Sequence, residues 1–138
     1  MKEEIFNCVK VLSYFLWEYT KHDNTLQLWC CSEDIICFLA ENDIKTKNDF
    51  MRIISLGKKD EVYKKFVRNI AYKIFEYTDE KSNDKNWFAA EKFIRNSECI
   101  DACISAVRIF GKVMKNDEIY KSIRSENAKG YICDKNLN

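Results

Sequence analysis

Residues 99–114, CIDACISAVRIFGKVM, decide how this chain folds. The polar positions Asp101, Ser105, Arg108 and Lys112 recur at steps of four, three and four. On a helix of 3.6 residues per turn they form one narrow stripe. Nearly every other position, from Cys99 and Ile100 to Val113 and Met114, is apolar. A helix apolar over most of its circumference has to be covered by other elements. This one is also too short, and too often charged, to span a bilayer. The expected fold is therefore all-α: a single-domain bundle of six or seven helices packed around a largely buried central helix at about residues 98–114.

Composition agrees with that expectation. A chain of 138 residues fits one domain, residues 1–138, and can bury a sizeable core. It has no proline, and its three glycines are Gly57, Gly111 and Gly130. A β-rich domain of this length recruits many Gly and Pro turns, so their scarcity favours helices joined by short polar connections.

Working outward, Ile5, Val9, Leu12, Leu16 and Tyr19 mark a helix from about Lys2 to Thr20. The stretch Thr25–Cys31 reads either as a short extended piece, with Leu26, Leu28 and Cys30 alternating, or as the first turns of a helix. Ser32 is the expected N-cap of the firm part of that helix, which ends near Asn42, with Glu33 and Asp34 in its first turn. Thr46 caps a third helix, with Asp49 at the capping-box position, and Gly57 ends it. On a fourth, from about Asp60 to Tyr77, Val62, Phe66, Ile70 and Ile74 form one apolar row and Tyr63, Val67, Ala71 and Phe75 the next. A polar loop, Thr78–Lys85, precedes a fifth helix over roughly Asp84–Asn96. Ser97 caps the central helix, Asp117 and Glu118 open a last one that stops at Gly130, and residues 131–138 form a loose tail.

The seven cysteines are an odd number, and the opening Met-Lys-Glu-Glu does not resemble a secretory signal. Reduced thiols inside apolar runs point to the cytoplasm of a cell or of an infected host. A zinc site drawing on Cys30, Cys31, Cys37, Cys99 and Cys103 is conceivable, but no C-x-x-C pair is present, so core packing is the expected role. No cofactor motif is present.

Catalytic constellations are missing from the sequence. His22 is the only histidine, no Arg precedes it, and no nucleophile motif accompanies it, which leaves a loop histidine. The acid pairs Glu33–Asp34 and Asp117–Glu118 are expected to offset helix dipoles. The chain therefore reads as a non-enzyme.

The net charge is +1, yet it is unevenly distributed. Residues 1–44 carry −5, residues 45–73 carry +6, residues 74–101 carry −3 and the remainder +3. Oppositely charged helices packed side by side account for such alternation. Arg52, Lys58, Lys59, Lys64, Lys65 and Arg68 also supply a basic surface for nucleic acid.

Aromatic residues make up 14% of the chain, and three of them are Trp, a residue enriched among binding hot spots. Trp29 is the best candidate for exposure among the tryptophans. The stripe with Asp101 and Arg108 reads as a solvent-facing edge, or else as the lining of a groove for a partner helix. The leading functional expectation is a non-enzymatic protein that binds another protein, as inhibitors and immunity factors do. The alternatives are nucleic-acid binding by the segment Arg52–Arg68 and a thiolate metal protein.

Overall fold

The computed structural model describes residues 2–22, 24–78 and 83–110. They form six α-helices: α1 (Lys2–Thr20), α2 (Thr25–Glu41), α3 (Lys47–Leu56), α4 (Glu61–Thr78), α5 (Asn83–Arg95) and α6 (Ser97–Phe110). No strand occurs among the described residues. The expected all-α bundle is the fold. Lys112, Cys133, the helix expected to open at Asp117 and the tail 131–138 lie outside the described residues.

One continuous apolar core joins all six helices. On α1, Ile5, Val9, Leu12 and Leu16 are fully buried, as their spacing requires. On α4, Tyr63, Phe66, Val67, Ile70 and Ile74 go inward, while Val62 and Phe75, at opposite ends of the two apolar rows, stay exposed. The core-facing surface of α4 is thus narrower at its ends than in the middle.

Helix α6 touches α1, α2, α3 and α5, which gives it the central place its sequence predicts. Cys99, Ile100, Ala102, Cys103, Ala106 and Val107 are buried, and Asp101, Ser105 and Arg108 are exposed. The stripe is the solvent-facing edge.

The most fully enclosed helix is α2, wedged between α1, α4 and α6. Seven consecutive residues, Cys31 to Cys37, are buried, and seven residues cover every side of a helix. Here one open alternative is decided and one expectation, the cap at Ser32, is corrected. Residues 25–31 are helical, because Asn24 caps the helix a full two turns before Ser32: its side chain accepts a hydrogen bond from the Gln27 N–H at 3.1 Å. Ser32, Glu33 and Asp34 are consequently mid-helix residues inside the bundle.

Ser32 and Asp34 are hydrogen-bonded to the neighbouring helices. The Ser32 hydroxyl donates to the Leu28 carbonyl at 2.9 Å and meets the Ser13 hydroxyl of α1 at 3.0 Å. Asp34 accepts a hydrogen bond from the Tyr77 hydroxyl of α4. These contacts fix where α1 and α4 cross α2.

The earlier start of α2 also corrects the expectation for Trp29. Helical spacing turns it inward, where it is 1% exposed and packs against Phe6 with ring centroids 5.3 Å apart. Alternation and helical periodicity overlap in a seven-residue window, so the sequence pattern alone does not separate them.

Helix α3 starts as expected. The Asp49 N–H donates to the Thr46 hydroxyl, and the Thr46 N–H donates back to the Asp49 carboxylate at 3.0 Å. Gly57 closes it with φ of +86° and ψ of 162°, a backbone region open to glycine and strained for other residues. At α6 the cap is one residue earlier than expected: Asn96, not Ser97, accepts from the Cys99 N–H at 3.0 Å.

Candidate binding surface

The antiparallel pair α4–α5 forms one of two candidate grooves on the described surface. At one end the two helices are fastened by a polar network. The buried Tyr63 hydroxyl donates to Glu91 at 2.7 Å, Arg95 donates to the same hydroxyl at 3.4 Å, and the Lys58 ammonium lies 3.7 Å from Glu91. Burial pushes the Tyr63 phenol above its ordinary value; the Glu91 carboxylate adds to this and Arg95 opposes it. The phenol therefore remains a hydrogen-bond donor through the neutral range.

At the other end the helices leave a groove of about 450 Å³, lined by Arg68, Ala71, Tyr72 and Phe75 of α4 and by Asn86 and Trp87 of α5. The α4 residues recur at steps of three, one and three, so they occupy one face of the helix. Ala71 has no side chain beyond Cβ and leaves the space open. Tyr72 is 62% exposed and Phe75 38% exposed, with their rings 6.3 Å apart. Two exposed rings and the half-buried Trp87 give the groove an apolar body. Arg68 gives it a cationic end, and Lys65 is its neighbour one turn back on α4.

Three of the six basic residues singled out in the sequence lie beside carboxylates. Arg52 is 3.8 Å from Asp49, Lys58 is 3.7 Å from Glu91, and Lys64 is 3.6 Å from Glu61. Among the described residues Lys59, Lys65 and Arg68 are in no ion pair. Half the positive charge on this surface is thus already matched by carboxylates. The Arg52 and Lys64 pairs each lie within one helix, and Lys58, which meets Glu91 of α5, stands in the turn before α4.

The other predicted residues fall elsewhere. Trp29 is in the core. Asp101 and Arg108 stand on the open edge of α6 and line neither the α4–α5 groove nor the one between α1 and α6. Tyr72, Phe75 and Trp87 were not legible as site residues. Phe75 sits in an apolar row that reads as core, and only its i+3 spacing from Tyr72 and i+7 spacing from Arg68 marks the outer stripe of α4.

A second groove, of about 490 Å³, runs between α1 and the start of α6. Val11, Tyr14 and Phe15 line it together with Lys10, Glu18 and Glu98, so both signs of charge are present in its lining. Cys99 is also in its lining, and burial raises that thiol above the ordinary range, with Glu98 adding to the shift. Such a thiol is a weak nucleophile.

Cys8, Cys31, Cys37 and Cys103 are also buried, and Cys30 is half-buried. Burial raises Cys31 and Cys103 as well; Asp34 adds to the former, and Cys99 and Cys8 to the latter. Among the described residues no group of three or more His, Cys, Asp or Glu side chains is placed to hold a metal ion. His22 is hydrogen-bonded to Gln27 at 2.7 Å in the α1–α2 turn. No described helix is long and apolar enough to cross a membrane. Comparison of the chain with family models, curated proteins and solved structures gives no match in any of the three.

Proposed function

We propose that this chain is a non-enzymatic helical protein that binds another protein through the α4–α5 groove, in the manner of an inhibitor or immunity factor. The observation that carries the reading is the concentration of Tyr72, Phe75 and Trp87 around an open groove next to Arg68. Concave apolar surfaces with a few placed polar groups are the usual seat of recognition, and Tyr, Trp and Arg dominate binding energetics. The polar network at the Tyr63 end supports it by holding the two walls at a fixed spacing. Cysteines that stay reduced in the core fit a reducing compartment such as the cytoplasm.

Nucleic-acid binding by the segment Arg52–Arg68 is the weaker reading. Phosphate-backbone affinity grows with each cation released to neutralise a phosphate, and three of the six cations are engaged by carboxylates.

The test is quantitative capture from cells of the source organism on immobilised wild-type chain and on Ala71→Trp, which fills the groove. One protein retained in stoichiometric amount by the wild type, and reduced at least tenfold on Ala71→Trp of unchanged melting temperature, is the expected result. Equal recovery on both, or recovery of nuclease-sensitive nucleic acid in its place, contradicts the reading.

A further inference from the structure

We infer that the occupant of the α4–α5 groove is an acidic amphipathic helix; the inference rests on the reading of the groove as the binding site. Three properties of the groove lead to it.

The first is length. Its α4 wall runs from Arg68 to Phe75, seven steps along the helix, or about 10 Å at the helical rise. The apolar part, Ala71–Phe75, takes about 6 Å of it, the distance between apolar anchors at i and i+4 of a helix lying along it, and the rest of the wall reaches a polar residue one turn further on.

The second is the chemistry of the walls. Both are α-helices, whose backbone N–H and C=O groups are satisfied internally. An extended peptide gains its affinity by adding backbone hydrogen bonds to a sheet edge, and this groove has no such edge. A helix brings its own backbone already paired and needs only side-chain contact, which Tyr72, Phe75, Trp87 and the Ala71 floor provide.

The third is charge. The lining contains one charged residue, Arg68, and no acid. Lys65 adds a second cation one turn away, and neither is in an ion pair among the described residues. A carboxylate beyond the last apolar anchor of the partner meets Arg68, and at the aromatic end no cation is required. A nucleic-acid strand needs cations along its whole path, whereas here they stand at one end only.

The experiment uses the full chain and four fluorescent probes in an anisotropy titration. The first is a synthetic amphipathic peptide with Leu at i and i+4 and Glu on its flanks. The second carries Lys in place of every Glu, the third is a scramble of the first, and the fourth is oligothymidylate. The expected result is that the Glu peptide binds at least tenfold more tightly than the Lys peptide and the scramble. Arg68→Glu reverses the preference between the two charged peptides, and Ala71→Trp and Tyr72→Ala each weaken binding at least tenfold. Tyr72 is exposed, so its truncation leaves the core intact and guards against an Ala71→Trp variant that misfolds.

If the Glu and Lys peptides bind equally and both are lost in Ala71→Trp and Tyr72→Ala, the groove reading stands and the acidic partner is refuted. If the Glu peptide binds but ignores both substitutions, the groove reading itself fails. Preference for oligothymidylate, or binding of neither charged peptide, overturns the inference.

Discussion

Trp29 shows how much one side chain depends on where its helix begins. Placed in an extended segment it would be a surface ring and a candidate hot spot. Placed eight residues before Cys37 on a helix that starts at Thr25, it becomes one of the largest fully buried side chains. Trp29→Ala should therefore destabilise the fold by about 3–5 kcal/mol in a urea or thermal unfolding experiment. A loss below about 0.5 kcal/mol, the size typical of a surface position, would show that the ring is not in the core. The sequence signal was ambiguous here for a physical reason. Leu26, Leu28 and Cys30 satisfy an alternating pattern, while Leu28, Cys31, Ser32 and Ile35 satisfy a helical one, and only the cap at Asn24 breaks the tie.

At the scale of the element, the caps separate what local chemistry specifies from what packing specifies. The box at the start of α3 was legible because both of its partners, Thr46 and Asp49, are three residues apart and need nothing else. The Lys45 and Thr46 N–H groups hold the Asp49 carboxyl below its ordinary value of 3.8, the Lys45 bond contributing most. A folded-state pKa lowered in this way contributes stability that is present above the unfolded value. That stability is lost as pH falls through the folded one. Acidification below about pH 4 should thus loosen the first turn of α3, seen as a rise in amide exchange at Phe50 and Met51. Thr46→Ala should cost about 1 kcal/mol at neutral pH. An α3 whose exchange is insensitive to both changes would contradict the box. Ser32 had the same local credentials as Thr46, a capping residue followed by acids, yet it lies mid-helix. Its hydroxyl is used instead by Leu28 and Ser13, a long-range arrangement that no local pattern encodes.

For the whole molecule, the helical bundle was legible because it follows from the periodicity of five strongly patterned segments and from the scarcity of glycine and proline. The groove was not. It depends on the spacing of α4 from α5, on a small residue at Ala71, and on Phe75 staying outside a core that its apolar row leads one to expect it to join. The opposite misreading occurs on α6, where Asp101, Ser105 and Arg108 make a clear stripe but no concavity.

The three tryptophans offer the most direct test of the claim that the α4–α5 groove is the contact surface, because each reports on a different place. Trp87 lines that groove, Trp29 is in the core, and Trp17 packs beside Tyr14, which lines the groove on α1. Their indole N–H resonances, assigned by single Trp→Phe substitution, can be followed while the Glu peptide is added to the full chain. A saturable shift of the Trp87 resonance is expected, with Trp29 and Trp17 unmoved. Movement of Trp17 while Trp87 stays fixed, or binding that leaves all three unchanged, would contradict the claim.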